Sequence, residues 1–291
     1  MIFSLLFILL QPLKPDHENI NYSFGLFQRT ELDLWLADSE KPTPLVIYFH
    51  GGGFVGGDKS SINQQLLKKL LAEKISVAAV NYRLTGEAPF PAQMQDAGAS
   101  IQFLRSLSGV FNLIPEKFGA IGGSAGGAIS LWLGFNDDSN QPKNPRNIFP
   151  HRISAKVQAV VATHAQTTLD PREIMKLFDT NQLDPPIYAL YRMESFDDIS
   201  NPKFHNSFEW ASPINHLDKN DPPVFLYYGQ KNDPLPKNSP GGVYIHHPKF
   251  GFLLKEKMDE LDLECILKLS ENAQNENIND QFVRFFTRHL N

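Results

Sequence analysis

Cysteine is almost absent: Cys265 is the single one in 291 residues. One thiol excludes an internal disulfide and a thiolate metal cluster. Flanked by Leu263, Ile266 and Leu267, it reads as a small buried hydrophobe. Runs of Lys and Arg are missing too, and the formal net charge is −5. Phosphate binding needs clustered cations, so nucleic acid is excluded as the main partner. The N-terminal apolar run, 2–10, is broken only by Ser4. It falls short of the roughly 20 residues that cross a bilayer, so no stable membrane anchor is expected. It has the length of the apolar core of an export signal, although no Lys or Arg precedes it and no small-x-small site follows. Two readings stand for 1–19. A signal peptide implies a secreted or periplasmic protein, and an N-terminal arm of the domain implies a cytoplasmic one. Internal repeats and low-complexity tracts are absent as well.

What is present is ordinary for a globular chain: 42% hydrophobic and 20% charged residues. Strand-like and helix-like segments alternate, the pattern of an α/β fold with a mostly parallel central sheet and helices on both faces. Residues 22–26 and 31–36 alternate as an opening hairpin. Buried strands are expected at 45–49, 75–80, 118–121, 157–163, 224–228 and 263–269. Helices are expected at 62–71, 92–107, 125–135, 250–261 and 278–290. Residues 165–221 are rich in Pro, Asp, Asn and aromatics. So long a structureless loop would be unusual, so the stretch reads as a helical insertion, a lid over the carboxyl edge of the sheet where open α/β folds bind ligands. No linker divides 20–291, which reads as one domain.

The strongest chemical signal is Gly122-Gly123-Ser124-Ala125-Gly126. It fits G-x-S-x-G with an apolar strand before it and a helix after it. A serine lifted above a sheet on so tight a turn needs small neighbours. The following helix directs its N-terminus at the hydroxyl and favours negative charge there. The plainer reading is a Gly-rich turn with an incidental serine.

A second signal is His50-Gly51-Gly52-Gly53-Phe54, directly after a strand. Three glycines leave backbone N–H groups free to hold an oxyanion. A phosphate loop would end in G-K-[ST], whereas Gly57 is followed by Asp58 and Lys59. His50 reads as a brace for the loop. No metal-ligand spacing stands out, because His246-His247 are adjacent rather than i, i+4, and Asp137-Asp138 read as a solvated helix end. Neither metal nor cofactor is expected.

These two motifs, in this order, resemble the α/β-hydrolase family, in particular its hormone-sensitive-lipase-like and acetyl-esterase branch. Asn81-Tyr82-Arg83-Leu84, Phe90-Pro91-Ala92 before a helix bearing Asp96, and Ala211-Ser212-Pro213 add to the resemblance, which covers roughly 20–290. The resemblance implies hydrolysis of carboxylic esters through an acyl-serine intermediate on Ser124. It also implies Gly52, Gly53 and Ala125 as oxyanion-hole donors and Asp233, after the strand at 224–228, as the acid that orients a histidine. The plainer reading of Asp233 is a turn residue before Pro234.

The family's histidine follows the last strand, but here that loop, 270–277, holds no histidine, and Asn275 stands about where it would be. An amide cannot relay a proton near neutral pH. Either the base has moved to His246 or His247, which keep the order Ser, Asp, His, with His164 a lesser candidate, or the chain is a catalytically impaired binding protein on a hydrolase fold. One of the two histidines could instead cap the helix after Pro248. Peptidase or acyltransferase chemistry on the same fold is a third reading. The expected partner is a small-molecule or carbohydrate acyl ester. Phe54, Phe90, Tyr188, Tyr191 and Phe204 are candidates to line its pocket, and His205 and His216 lie in or near the insertion.

Overall fold

The computed structural model describes residues 12–136, 153–272 and 276–291. The apolar run 2–10, the Asp137-Asp138 pair and Asn275 lie outside them.

Among the described residues, eight strands form one sheet in the order β1-β2-β4-β3-β5-β6-β7-β8. They are β1 His17–Asn21, β2 Glu31–Trp35, β3 Thr43–Phe49, β4 Ser76–Val80, β5 Leu113–Gly123, β6 Ala159–Thr163, β7 Val224–Tyr228 and β8 Cys265–Leu269. β1 and β2 pair antiparallel, as do β2 and β4. From β4 to β8 all pairings are parallel. Parallel strands buried on both faces read as near-continuous apolar runs, and β4 (SVAAV) is buried at every position.

Alternation along these strands separates two cores. Leu45, Ile47 and Phe49 of β3 join one core with Ala78 and Val80 of β4. On that face lie helices α2 (Ala92–Ser106) and α3 (Ala125–Phe135). Val46 of β3 with Val77 and Ala79 of β4 faces the other core. There α1 (Gln64–Ala72) packs beside the closing helix Ile278–Leu290. Between β6 and β7 come three short helices, α4 (Pro171–Phe178), α5 (Pro185–Tyr191) and α6 (Pro202–Ala211), each begun by a proline. Proline is preorganised for a first helical turn, where its missing N–H costs nothing. Cys265 is buried, and burial pushes its thiol up to about 12.

The opening hairpin differs from the expected one. Its first strand is His17–Asn21, not 22–26. The Asn21 side chain accepts from the N–H groups of Ser23 (3.1 Å) and Gly25 (2.9 Å), and Phe24 and Gly25 take φ of 55° and 84°. The apolar alternation at 22–26 therefore falls in a turn.

Candidate active site

The site forms at the carboxyl ends of three adjacent strands, β3, β5 and β6. Ser124 follows β5 with φ 54° and ψ −122°, outside the comfortable range of a non-glycine residue. Its N–H donates to the Thr163 carbonyl at 2.8 Å, which ties the turn to the end of β6. The flanking glycines are sterically required. A Cβ on Gly122 would lie 2.3 Å from the Gly126 carbonyl carbon, and one on Gly126 only 2.0 Å from the Phe49 carbonyl oxygen.

The Gly-rich loop after β3 presses against this turn: a Cβ on Gly51 would meet the Gly123 carbonyl oxygen at 2.8 Å. Gly52 and Gly53 take φ of 108° and 60°. His50 braces the loop from below. It is fully buried, its Nδ1–H donates to the Gly51 carbonyl at 2.7 Å, and its ring stacks on Tyr82 with centroids 4.3 Å apart. Burial lowers its pKa, so it stays neutral. Ala125 opens α3, and the N–H of a first helical residue has no acceptor within its own helix. Gly52, Gly53 and Ser124 line one cavity.

His246 completes the group. It lies between the single turn α7 (Gly241–Tyr244) and helix α8 (Lys249–Glu260). Its Nε2 is 3.0 Å from the Ser124 hydroxyl oxygen, within reach to accept the hydroxyl proton. The Gln166 amide donates to the Ile245 carbonyl just before it, and the His164 ring meets its ring edge-on, centroids 5.8 Å apart. Burial lowers the pKa of His246, and the Asp184 carboxylate opposes that shift.

The neighbouring residues do other work. His247 is 2% exposed, and both its nitrogens are engaged. Nε2–H donates to the Asp233 carbonyl at 2.9 Å, and Nδ1 accepts the Lys249 N–H at 3.1 Å, which caps α8. It therefore has no nitrogen to offer Ser124. Asp233 is the larger correction. It stands exposed after β7 and meets His247 through its main-chain oxygen, and its charge acts on His247, not on His246. The carboxylate facing His246 is Asp184, from the insertion, which sequence order did not suggest. His164 is committed elsewhere: its Nε2 accepts the Gly229 N–H at 2.8 Å. Asp221 precedes β7, at the far end of that strand, where it accepts from the Asp218 N–H and pairs with Lys156.

The cavity over Ser124 holds about 330 Å³. Its wall is mostly apolar, with Leu169, Ile174, Leu183, Ile187, Leu190 and Phe250 from the insertion and α8. Of the aromatics singled out from the sequence, Phe54 lines it, while Phe90, Tyr191 and Phe204 pack into the core instead. His216 lies on a separate outer groove, with its Nε2 bonded to the Trp210 carbonyl at 2.7 Å.

The BD-FAE family model matches residues 32–240, spanning both Gly-rich motifs and the insertion. The chain belongs to the BD-FAE family. This is an α/β-hydrolase esterase family, in keeping with the parallel sheet and the turn at Ser124. The chain is 27% identical over 224 residues to versiconal hemiacetal acetate esterase of Dothistroma septosporum, covering 75% of this chain and 66% of that one. It spans between 27% and 66% of the length of curated relatives it matches. Among solved structures, a truncated carbohydrate esterase from gut microbiota superposes with a TM-score of 0.73 at 19% identity, covering 96% of this chain and 98% of that one. Thermogutta terrifontis esterase 2, phosphonylated by sarin, gives 0.66 at 18% identity, with 94% and 93% covered. At these identities the structures speak for the α/β-hydrolase fold.

Proposed function

We propose that this BD-FAE family member is a serine-dependent hydrolase of carboxylic esters with short acyl groups, those of acylated carbohydrates included. The observation that carries the reading is the 3.0 Å approach of His246 Nε2 to the Ser124 hydroxyl beneath the Gly52–Gly53 loop. Ser124 Oγ attacks the ester carbonyl carbon while its proton passes to His246 Nε2. The carbonyl oxygen gains the negative charge, and the N–H groups of Gly52, Gly53 and Ala125 receive it. The C–O bond to the alcohol then breaks, and the alcohol leaves with the proton from His246. Water, deprotonated by the same imidazole, releases the acid and restores Ser124.

The cavity, about 330 Å³ with a mostly apolar wall, suits an uncharged acyl chain. The names of the relatives, an acetate esterase and a carbohydrate esterase, support the same substrate range. The 3.0 Å approach of His246 to Ser124 favours hydrolysis over a non-catalytic binding role.

The test is turnover of p-nitrophenyl esters from acetate to octanoate and of acetylated sugars. The short esters are expected to be cleaved, and Ser124→Ala and His246→Ala each to lower kcat at least about a thousandfold. Turnover that survives Ser124→Ala would overturn the reading.

A further inference from the structure

Asp184 lines the cavity together with Ser124 and His246. It is the N-cap of α5, yet its side chain makes no capping bond to that helix. The main chain around it is held firmly. Gly241 packs so closely that a Cβ there would lie 2.5 Å from Asp184 Cα, and the Tyr244 hydroxyl donates to the Gln182 carbonyl at 2.8 Å. Two contacts thus lock the segment carrying Asp184 to the segment carrying His246.

We propose that Asp184 is the carboxylate that stabilises the His246 imidazolium as Ser124 attacks, in place of an acid following β7. The assignment rests on the esterase reading above. When Ser124 gives up its proton, a positive charge forms on His246 inside a largely apolar cavity. A charge there is weakly screened, so a fixed carboxylate nearby lowers its energy without a direct hydrogen bond. Among the described residues that line the cavity, Asp184 is the only carboxylate. The other titratable groups around His246 are neutral. His164, from the end of β6, keeps Nε2 unprotonated as the acceptor for Gly229, and the phenol of Tyr244 is pushed above its ordinary value by burial. Asp184 and His246 each feel the other's charge: Asp184 raises the imidazole pKa, and the imidazolium lowers that of Asp184, which burial otherwise raises. Acting through His246, Asp184 is a positioning residue of the relay rather than a reacting one.

The experiment compares Asp184→Asn, Asp184→Glu and Asp233→Asn on p-nitrophenyl butyrate, with kcat, KM and the pH profile of kcat/KM measured for each. Asp184→Asn is expected to lower kcat about tenfold or more with KM changed less than about twofold. Its acidic limb is expected to move to lower pH, because an imidazolium without its anion loses its proton more readily. Asp184→Glu restores most of both, and Asp233→Asn leaves both as in the parent. Because the Asp184 side chain makes no capping bond, Asp184→Asn is expected to keep its thermal midpoint. A change in KM alone, an unmoved acidic limb, or a limb shift seen in Asp233→Asn instead would overturn the assignment. If Ser124→Ala and His246→Ala abolish turnover while Asp184→Asn does not alter it, this assignment alone fails. If turnover survives Ser124→Ala, the esterase reading fails with it.

Discussion

Ser124 occupies a left-handed backbone conformation, and Gly122 and Gly126 beside it leave no room for any side chain larger than hydrogen. That need for small neighbours is what makes such a turn visible in a sequence. The proton relay is less visible, because it depends on which loops meet in space. His246 and His247 are adjacent in the chain, yet one reaches Ser124 and the other caps α8. Asp184 lies 60 residues after Ser124, inside the insertion, where no spacing rule points to it. A pH dependence follows from burial. Burial holds His246 below the ordinary histidine value of 6.5, with Asp184 opposing the shift. A general base works in its neutral form. The kcat/KM for an uncharged ester is therefore expected to rise through an apparent pKa below 6.5 and to stay level above it. A pH–rate profile checks this, and an acidic limb centred above 6.5 would contradict it.

At the scale of elements, the parallel strands and most helices were legible because each is an apolar run or a stripe bounded by glycine, proline or a cap. The first strand was not. His17–Asn21 is an edge strand with its first three residues exposed, so no apolar alternation marks it. The insertion was legible as helical, but its role as the apolar wall of the cavity depends on how α4 and α5 lie over Ser124. The one-turn helix α7 matters more than its four residues suggest, since it sets His246 against Asp184. Gly241→Ala tests that. Its new Cβ would meet Asp184 main-chain and Cβ atoms at 2.5 to 2.7 Å, and main-chain atoms cannot step aside as a flexible side chain can. The variant is expected to lose about 1–3 kcal/mol of stability in urea unfolding. It is also expected to lose at least about tenfold in kcat, because a displaced catalytic group costs rate steeply. Unchanged kcat would show that this contact does not position His246.

At the scale of the whole molecule, the sheet is a platform whose strand ends each deliver one part. β3 delivers the Gly52–Gly53 loop, β5 delivers Ser124, β6 delivers His164 and Gln166, and the chain between α7 and α8 brings the imidazole. The two buried cores hold these ends in register, so the residues around Ser124 are assembled by topology rather than by one contiguous segment. On the proposed reading, Ser124 and His246 act as one unit. Mass spectrometry after treatment with a fluorophosphonate tests it most directly, because the reagent is attacked by an activated serine and remains attached. The expected result is a single adduct on Ser124, formed at least about a hundredfold more slowly in His246→Ala. An adduct elsewhere, or one on Ser124 formed equally fast without His246, would contradict it.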